Sequence, residues 1–178
     1  HCTRRAMGEG NIVPLSKSRL EDILAFIRHT PEIRDVILSG GDPLLLEDDA
    51  LLDIVRAVRA IPSVEIIRVA TRTPVTLPMR ITPELARELA ACGPLYIHTH
   101  FNHPKELTDD ARAACARFID VGIPVNNQAV LLKGVNDSSN TLRELFRGLA
   151  AARVRPYYLF MCDPVKGTAH FRVSLDDA

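Results

Sequence analysis

Val36-Ile37-Leu38-Ser39-Gly40-Gly41-Asp42-Pro43 passes from three apolar residues, two of them β-branched, directly into a double-glycine turn. A short apolar run closed by glycine reads as a buried strand followed by a tight connection to a helix. The same shape recurs along the chain. Residues 64–69 end at Thr71-Arg72-Thr73-Pro74, and Leu95-Tyr96-Ile97 ends at His98-Thr99-His100-Phe101-Asn102-His103. Residues 125–132 lead into Gly134-Val135-Asn136-Asp137, and residues 156–161 end at Cys162-Asp163.

Amphipathic helices fill the intervals. Residues 16–29 carry Leu20, Ile23, Leu24 and Ile27 on one stripe. Ser18 followed by Glu21 has the spacing of a capping box, which predicts a start one turn into that segment. Leu51, Leu52, Ile54, Val55 and Val58 form the next helix, stopped before Pro62. Thr82-Pro83-Glu84 reads as an N-cap with proline at the first helical position, and that helix ends at Cys92-Gly93. Thr108-Asp109-Asp110 opens another, closed by Gly122. Leu142, Leu145, Phe146 and Leu149 share one side of the last.

Five such units predict an α/β domain with parallel strands and outer helices. A partial (β/α) barrel is favoured over an open doubly wound sheet because of where the polar residues fall. Ser39 and Asp42, Arg72, His98, His100 and Asn102, Gln128, and Asp163 each sit at or just past a strand C-terminus. A barrel gathers all of those tips around one axis, whereas an open sheet uses only its switch point. With no repeat beyond the unit, no low-complexity tract and no linker, residues 1–178 are expected to form one domain.

Length and composition agree with one well-cored globular domain: 178 residues, 47% hydrophobic and 25% charged. Lys+Arg and Asp+Glu balance at 22 each, which argues against nucleic-acid and membrane-surface partners. No apolar run approaches the ~20 residues needed to cross a bilayer. The four cysteines, Cys2, Cys92, Cys115 and Cys162, contain no CxxC pair, so neither a zinc ribbon nor a disulfide scaffold is indicated. The cytoplasm is the expected compartment.

Several residues carry chemistry of open meaning. Gly40 and Gly41 let backbone approach a ligand, and Asp42 is either an acceptor for an ammonium or the N-cap of a helix begun by Pro43. His98 and His100 lie on one face of a strand and, with His103, form the densest set of metal-ligand types. Asp163 suits a cationic ligand group or an ion pair with Arg155 or Arg172. Arg72 suits a carboxylate or phosphate, or a neighbouring strand. Cys92 and Cys115 fall within helices as packing residues.

Taken together, the segments resemble the lysine 2,3-aminomutase family of radical S-adenosylmethionine enzymes. The resemblance rests on His1-Cys2-Thr3-Arg4-Arg5, Leu38-Ser39-Gly40-Gly41-Asp42-Pro43-Leu44, Thr71-Arg72-Thr73-Pro74-Val75 and Arg80-Ile81-Thr82-Pro83-Glu84-Leu85. It continues through Thr99-His100-Phe101-Asn102-His103-Pro104, Asn127-Gln128-Ala129-Val130-Leu131-Leu132, Arg153-Val154-Arg155-Pro156-Tyr157-Tyr158 and Cys162-Asp163. It implies a partial TIM-like barrel and a [4Fe-4S] cluster held by three cysteines, with Cys2 matching the third. It also implies S-adenosylmethionine near Ser39, Gly40, Gly41, Asp42, His100 and Gln128. Arg4 matches the arginine for the lysine carboxylate, and Asp163 one of two aspartates for its distal ammonium.

The implied reaction interconverts L-lysine and β-lysine by radical 2,3-amino migration on pyridoxal 5'-phosphate. None of Lys17, Lys105, Lys133 and Lys166 matches the family's pyridoxal lysine, and no catalytic residue is assigned. The other cluster cysteines and that lysine are expected outside these residues. The chain is therefore expected to be a piece truncated at both ends, inactive alone, of a protein that can self-associate. Ala6 and Val173-Ser174-Leu175 depart from the family pattern, which leaves open a relative that isomerises a translation-factor lysine side chain. From a different class, a metal-dependent barrel hydrolase would use His98 and His100 as ligands.

Overall fold

In a computed structural model of the chain, residues 16–174 are described. Five strands form one sheet: β1 (Asp35–Leu38), β2 (Ile66–Ala70), β3 (Leu95–Thr99), β4 (Val125–Leu131) and β5 (Arg155–Met161). Their spatial order is their chain order, and every neighbouring pair is parallel. That order has no reversal and hence no switch point. Right-handed crossovers along such a sheet put every connecting helix on the same face, as in a barrel wall.

The helices are α1 (Lys17–Arg28), α2 (Asp48–Arg59), α3 (Pro83–Ala91), α4 (Asp109–Asp120) and α5 (Ser139–Ala151). Two begin where the sequence predicts, and a third is capped at a serine that the sequence reading did not single out. Thr82 accepts the Leu85 N–H, Thr108 accepts that of Ala111, and Ser138 accepts that of Thr141. The start of α1 differs from the predicted capping box. Ser16, not Ser18, caps it by accepting the Arg19 N–H, so the helix starts two residues earlier.

Alternation along the strands sorts the two faces of the sheet. Ile67, Val69, Leu95, Ile97, Val125 and Ala129 are buried and join Leu51, Val55, Leu85, Leu89, Phe118, Leu145 and Leu149 of the helices in one core. Asp35, Arg68, Tyr96, His98, Asn126 and Gln128 occupy the other face, the inside of the barrel wall. An Asp35–Arg68 ion pair lies there. The pairing of β4 with β5 slips between Asn127 and Gln128, so that Tyr157 is an extra residue on β5. Pro156, which has no N–H for a ladder, sits at that bulge. No helix among the described residues is long and apolar enough to cross a membrane.

Candidate active site

Gly40 stands at the end of β1 with φ of 143°, a backbone conformation that side chains rarely adopt. At Gly41 an added Cβ would meet nothing within 4 Å, so the turn presents open backbone. Asp42 follows. Its Oδ1 accepts from the Leu44 N–H at 3.1 Å, capping the short 3-10 turn Pro43–Leu45, and from the Thr71 hydroxyl at 2.6 Å. Its Oδ2 accepts the Arg72 N–H at 2.7 Å. Of the two roles open to Asp42 in the sequence, this geometry realises the cap. The carboxylate is mainly spent on tying the β1 loop to the β2 loop.

The next link joins the β2 and β3 loops. Arg72 reaches the Glu106 Oε1 at 2.6 Å, while Oε2 accepts the N–H groups of Asn102 at 2.6 Å and His103 at 3.3 Å. His103 caps the turn Pro104–Glu106, its Nδ1 accepting the Lys105 N–H. Asn102 accepts the Val130 N–H at 2.8 Å. Asn136, fully buried, donates to the Asn102 and Val130 carbonyls and accepts the Leu132 N–H. Asn127 clamps Phe101 from the other side, accepting its N–H and donating to its carbonyl. The C-terminal edges of β1 to β4 are thus sewn together by side-chain-to-backbone bonds, which holds the loops without a ligand.

Gln128 lies between two histidines of the neighbouring strand. Its carboxamide Nε2 donates to the His98 Nδ1 at 3.2 Å, and its main-chain carbonyl accepts from the His100 Nδ1 at 3.0 Å. Burial lowers the pKa of His100; the bond to Gln128 and the charge of Asp42 oppose this, and Arg72 reinforces it. His100 is accordingly neutral, with its proton on Nδ1 and a lone pair on Nε2. Burial is also the main cause lowering the pKa of His98, with Arg68 adding to it. The Tyr157 ring meets the His98 ring edge-on at 5.3 Å.

The Oε1 of Gln128 and the Nε2 of His100 have no hydrogen bond within the described chain, and both are acceptors. The O–H or N–H groups of a ligand seated here, such as sugar hydroxyls or an ammonium, would satisfy both. The exposed backbone of Gly41 adds further carbonyl and N–H groups.

Asp163 lies on the same edge, two residues past Met161, which pairs with Leu131. Its side chain is exposed, and no ion pair to Arg155 or Arg172 forms. Its carbonyl is gripped by the buried Thr168 hydroxyl at 3.0 Å, and the same loop is anchored where the Lys133 N–H donates to the Phe171 carbonyl. Ser39 stands beside Gly40 at the strand end. Cys2 and Arg4 lie outside the described residues. Among the described residues no group of three His, Cys, Asp or Glu converges as a metal site, and His98 and His100 are engaged with Gln128 rather than with a common centre.

A cavity of about 460 Å³ opens lower on the inner face, lined by Arg68, Tyr96, His98, Asn126, Arg155 and Tyr157 among others. His98 borders it and also touches Gln128 above. The stitching residues Glu106, Asn127 and Asn136 escape sequence reasoning. Glu106 does form a local capping box with His103, and Asn136 a local bond to Leu132, but the links to Arg72, Phe101 and Asn102 that tie one loop to the next span 26 to 34 residues.

The sequence profile of the radical SAM superfamily matches residues 1–146. Over 172 residues the chain is 48% identical to the L-lysine 2,3-aminomutase of Fusobacterium nucleatum and 47% identical to that of Clostridium subterminale. These alignments cover 97% of this chain but only 40% and 41% of those proteins. It is 44% identical to the glutamate 2,3-aminomutase of Clostridioides difficile, across 99% of this chain and 42% of that protein. The chain thus spans about two-fifths of the relatives it matches.

Two solved structures share the fold. Native anSMEcpe with bound AdoMet superposes with a TM-score of 0.66 at 15% identity, covering 91% of this chain and 48% of that one. A radical SAM methyltransferase from Sphaerobacter thermophilus gives 0.58 at 18%, covering 89% and 51%. At such identities the likeness carries the fold alone. It places the five-stranded sheet among the partial TIM barrels.

Proposed function

Because this chain belongs to the radical SAM superfamily, we propose that it forms the cofactor-gripping wall of an aminomutase that interconverts L-lysine and β-lysine. The observation that carries this reading is the gathering of Gly40, Gly41, His100, Gln128 and Asp163 along one edge of the sheet. Two of these residues leave hydrogen-bond acceptors to a ligand.

The residues fit S-adenosylmethionine in chemistry. The open turn Ser39-Gly40-Gly41 offers backbone to its amino-acid end, with Asp42 fixing the turn through Thr71 and Arg72. Gln128 Oε1 and neutral His100 Nε2 suit its hydroxyl or amino groups. Cys2 is proposed as one thiolate ligand of a [4Fe-4S] cluster, and Arg4 as the partner of the substrate carboxylate. When bound, these cofactors supply a carbon-centred radical able to take hydrogen from an unactivated carbon, with pyridoxal 5'-phosphate carrying the migrating amino group. None of the four lysines of this chain is assigned to that group.

What the chain's own residues do is bind and orient. Asp163 presents a carboxylate to the distal ammonium of lysine and is fixed through its main chain by Thr168. The same carboxylate repels a distal carboxylate, which favours lysine over glutamate although relatives of both kinds are similar to this chain. The test is anaerobic reconstitution of the whole protein with iron and sulfide, followed by assay with S-adenosylmethionine, pyridoxal phosphate and a reductant. The reading expects an iron–sulfur spectrum and β-lysine from lysine. Activity on glutamate alone, or a protein that takes up no iron, would overturn it.

A further inference from the structure

We propose that His98 is a positioning residue that sets the Gln128 carboxamide for S-adenosylmethionine. This rests on the reading of Gln128 as a cofactor-binding residue. The two histidines of the His-Thr-His segment hold the glutamine from two sides. His100 fixes its main chain, and His98 fixes its side chain through a 3.2 Å bond from Nε2 to Nδ1.

An amide can turn over and exchange its donor and acceptor ends at little steric cost. A neutral imidazole whose Nδ1 is a bare acceptor permits only one of the two orientations. With one Nε2–H committed to His98, Oε1 is the acceptor left for the ligand. The opposite orientation sets oxygen against a lone pair and loses the bond.

The surroundings keep His98 neutral, and the Nε2–Nδ1 contact then calls for the tautomer with its proton on the far nitrogen. The side chain is 4% exposed. The Tyr157 ring, delivered by the β5 bulge, packs against it at 5.3 Å. The charged and titratable groups around it are Arg68 on β2, Asp35 on β1, His100 on its own strand's end, and Arg155 with Tyr157 on β5. Arg68 disfavours a second positive charge, and its ion pair with Asp35 moderates that effect. A protonated imidazole would carry N–H on both nitrogens and repel the amide donor.

The test uses the whole reconstituted protein and measures S-adenosylmethionine affinity by equilibrium titration, with thermal unfolding alongside. His98→Phe keeps a ring against Tyr157 and deletes the acceptor. His98→Asn keeps an acceptor close to the position of Nδ1. The inference expects Phe to weaken binding about tenfold, the size of one oriented hydrogen bond, and Asn to restore most of it. The Michaelis constant for lysine should stay unchanged in both.

Unaltered affinity in His98→Phe overturns the inference. So does a loss in His98→Asn equal to that in Phe, since that would reflect packing. Gln128→Ala separates the two levels. If it weakens binding while His98→Phe does not, only the positioning role fails. If Gln128→Ala has no effect, the cofactor role of Gln128 and the positioning role fail together.

Discussion

The Arg72 guanidinium lies 2.6 Å from the Glu106 carboxylate, across 34 residues of sequence, and ties the loop after β2 to the loop after β3. The ion pair itself is half in solvent and contributes little. The weight of Glu106 is in its second oxygen, which accepts two main-chain N–H groups. Glu106→Ala is expected to destabilise the protein by about 1–3 kcal/mol, and Arg72→Ala by less than about 1 kcal/mol. Urea unfolding of the two variants measures the difference. Equal losses would shift the role to the ion pair.

Asn136 is the most demanding residue of the edge. It is fully buried and satisfies one N–H and two carbonyls at once. Asn136→Ala leaves all three without a partner and is expected to cost about 2–4 kcal/mol. Asn136→Asp keeps the size but cannot donate, and it is expected to be at least as damaging. Denaturation midpoints check both, and a neutral Asn136→Ala would show that water replaces the amide.

Much of the fold is legible in the sequence. Thr82 and Thr108 cap the helices that their positions announce, because a cap is local chemistry between residues three apart. Ser18 has the capping-box spacing, but Ser16, two residues earlier, takes the cap by accepting the Arg19 N–H, and Ser18 falls inside the helix. The shared face of His98 and His100 follows from the two-residue period of a strand. What they hold does not. Gln128 is some thirty residues away, and which of its atoms meets which ring depends on register and on the β4–β5 slip. Asp42 shows the same limit, since its second and third donors come from the loop after β2.

Acid should destabilise the fold through buried His98 and half-buried His100. Both have pKa values below the ordinary 6.5, so the unfolded chain binds protons that the native one refuses. Their neutral forms contribute fully above about pH 6.5, and that stability is lost as pH falls below it. The slope in that window is bounded at about 1.4 kcal/mol per pH unit for each histidine. Urea midpoints at pH 7.5, 6.5 and 5.5 should fall for the parent protein and fall less for a His98→Asn, His100→Asn double variant. Parallel slopes would contradict this origin.

Cys115 should be chemically silent. Burial pushes its thiol up to about 12, leaving almost no thiolate at neutral pH. Cys92 and Cys162 are only partly buried. Under native conditions iodoacetamide should label those two first, with Cys115 reacting only as the chain opens. Mass spectrometry of timed samples reads the order, and early labelling of Cys115 would contradict its packing.

Gly41 separates folding from binding. A methyl there meets no neighbour, so Gly41→Ala is expected to leave unfolding within about 0.5 kcal/mol of the parent. It should nonetheless weaken S-adenosylmethionine, because it narrows the open backbone of the turn. Asp163→Asn is expected to raise the Michaelis constant for lysine at least about tenfold through loss of one charge pair. An unchanged constant would remove Asp163 from the substrate site.

The most direct measurement of the account is a hydrogen-exchange footprint of the whole reconstituted protein with and without saturating S-adenosylmethionine. Slowed exchange should appear together at residues 39–42, 98–101 and 127–129, the tips of three strands. Saturated binding with no protection in those segments would contradict the claim that this edge of the sheet is where the cofactor is held.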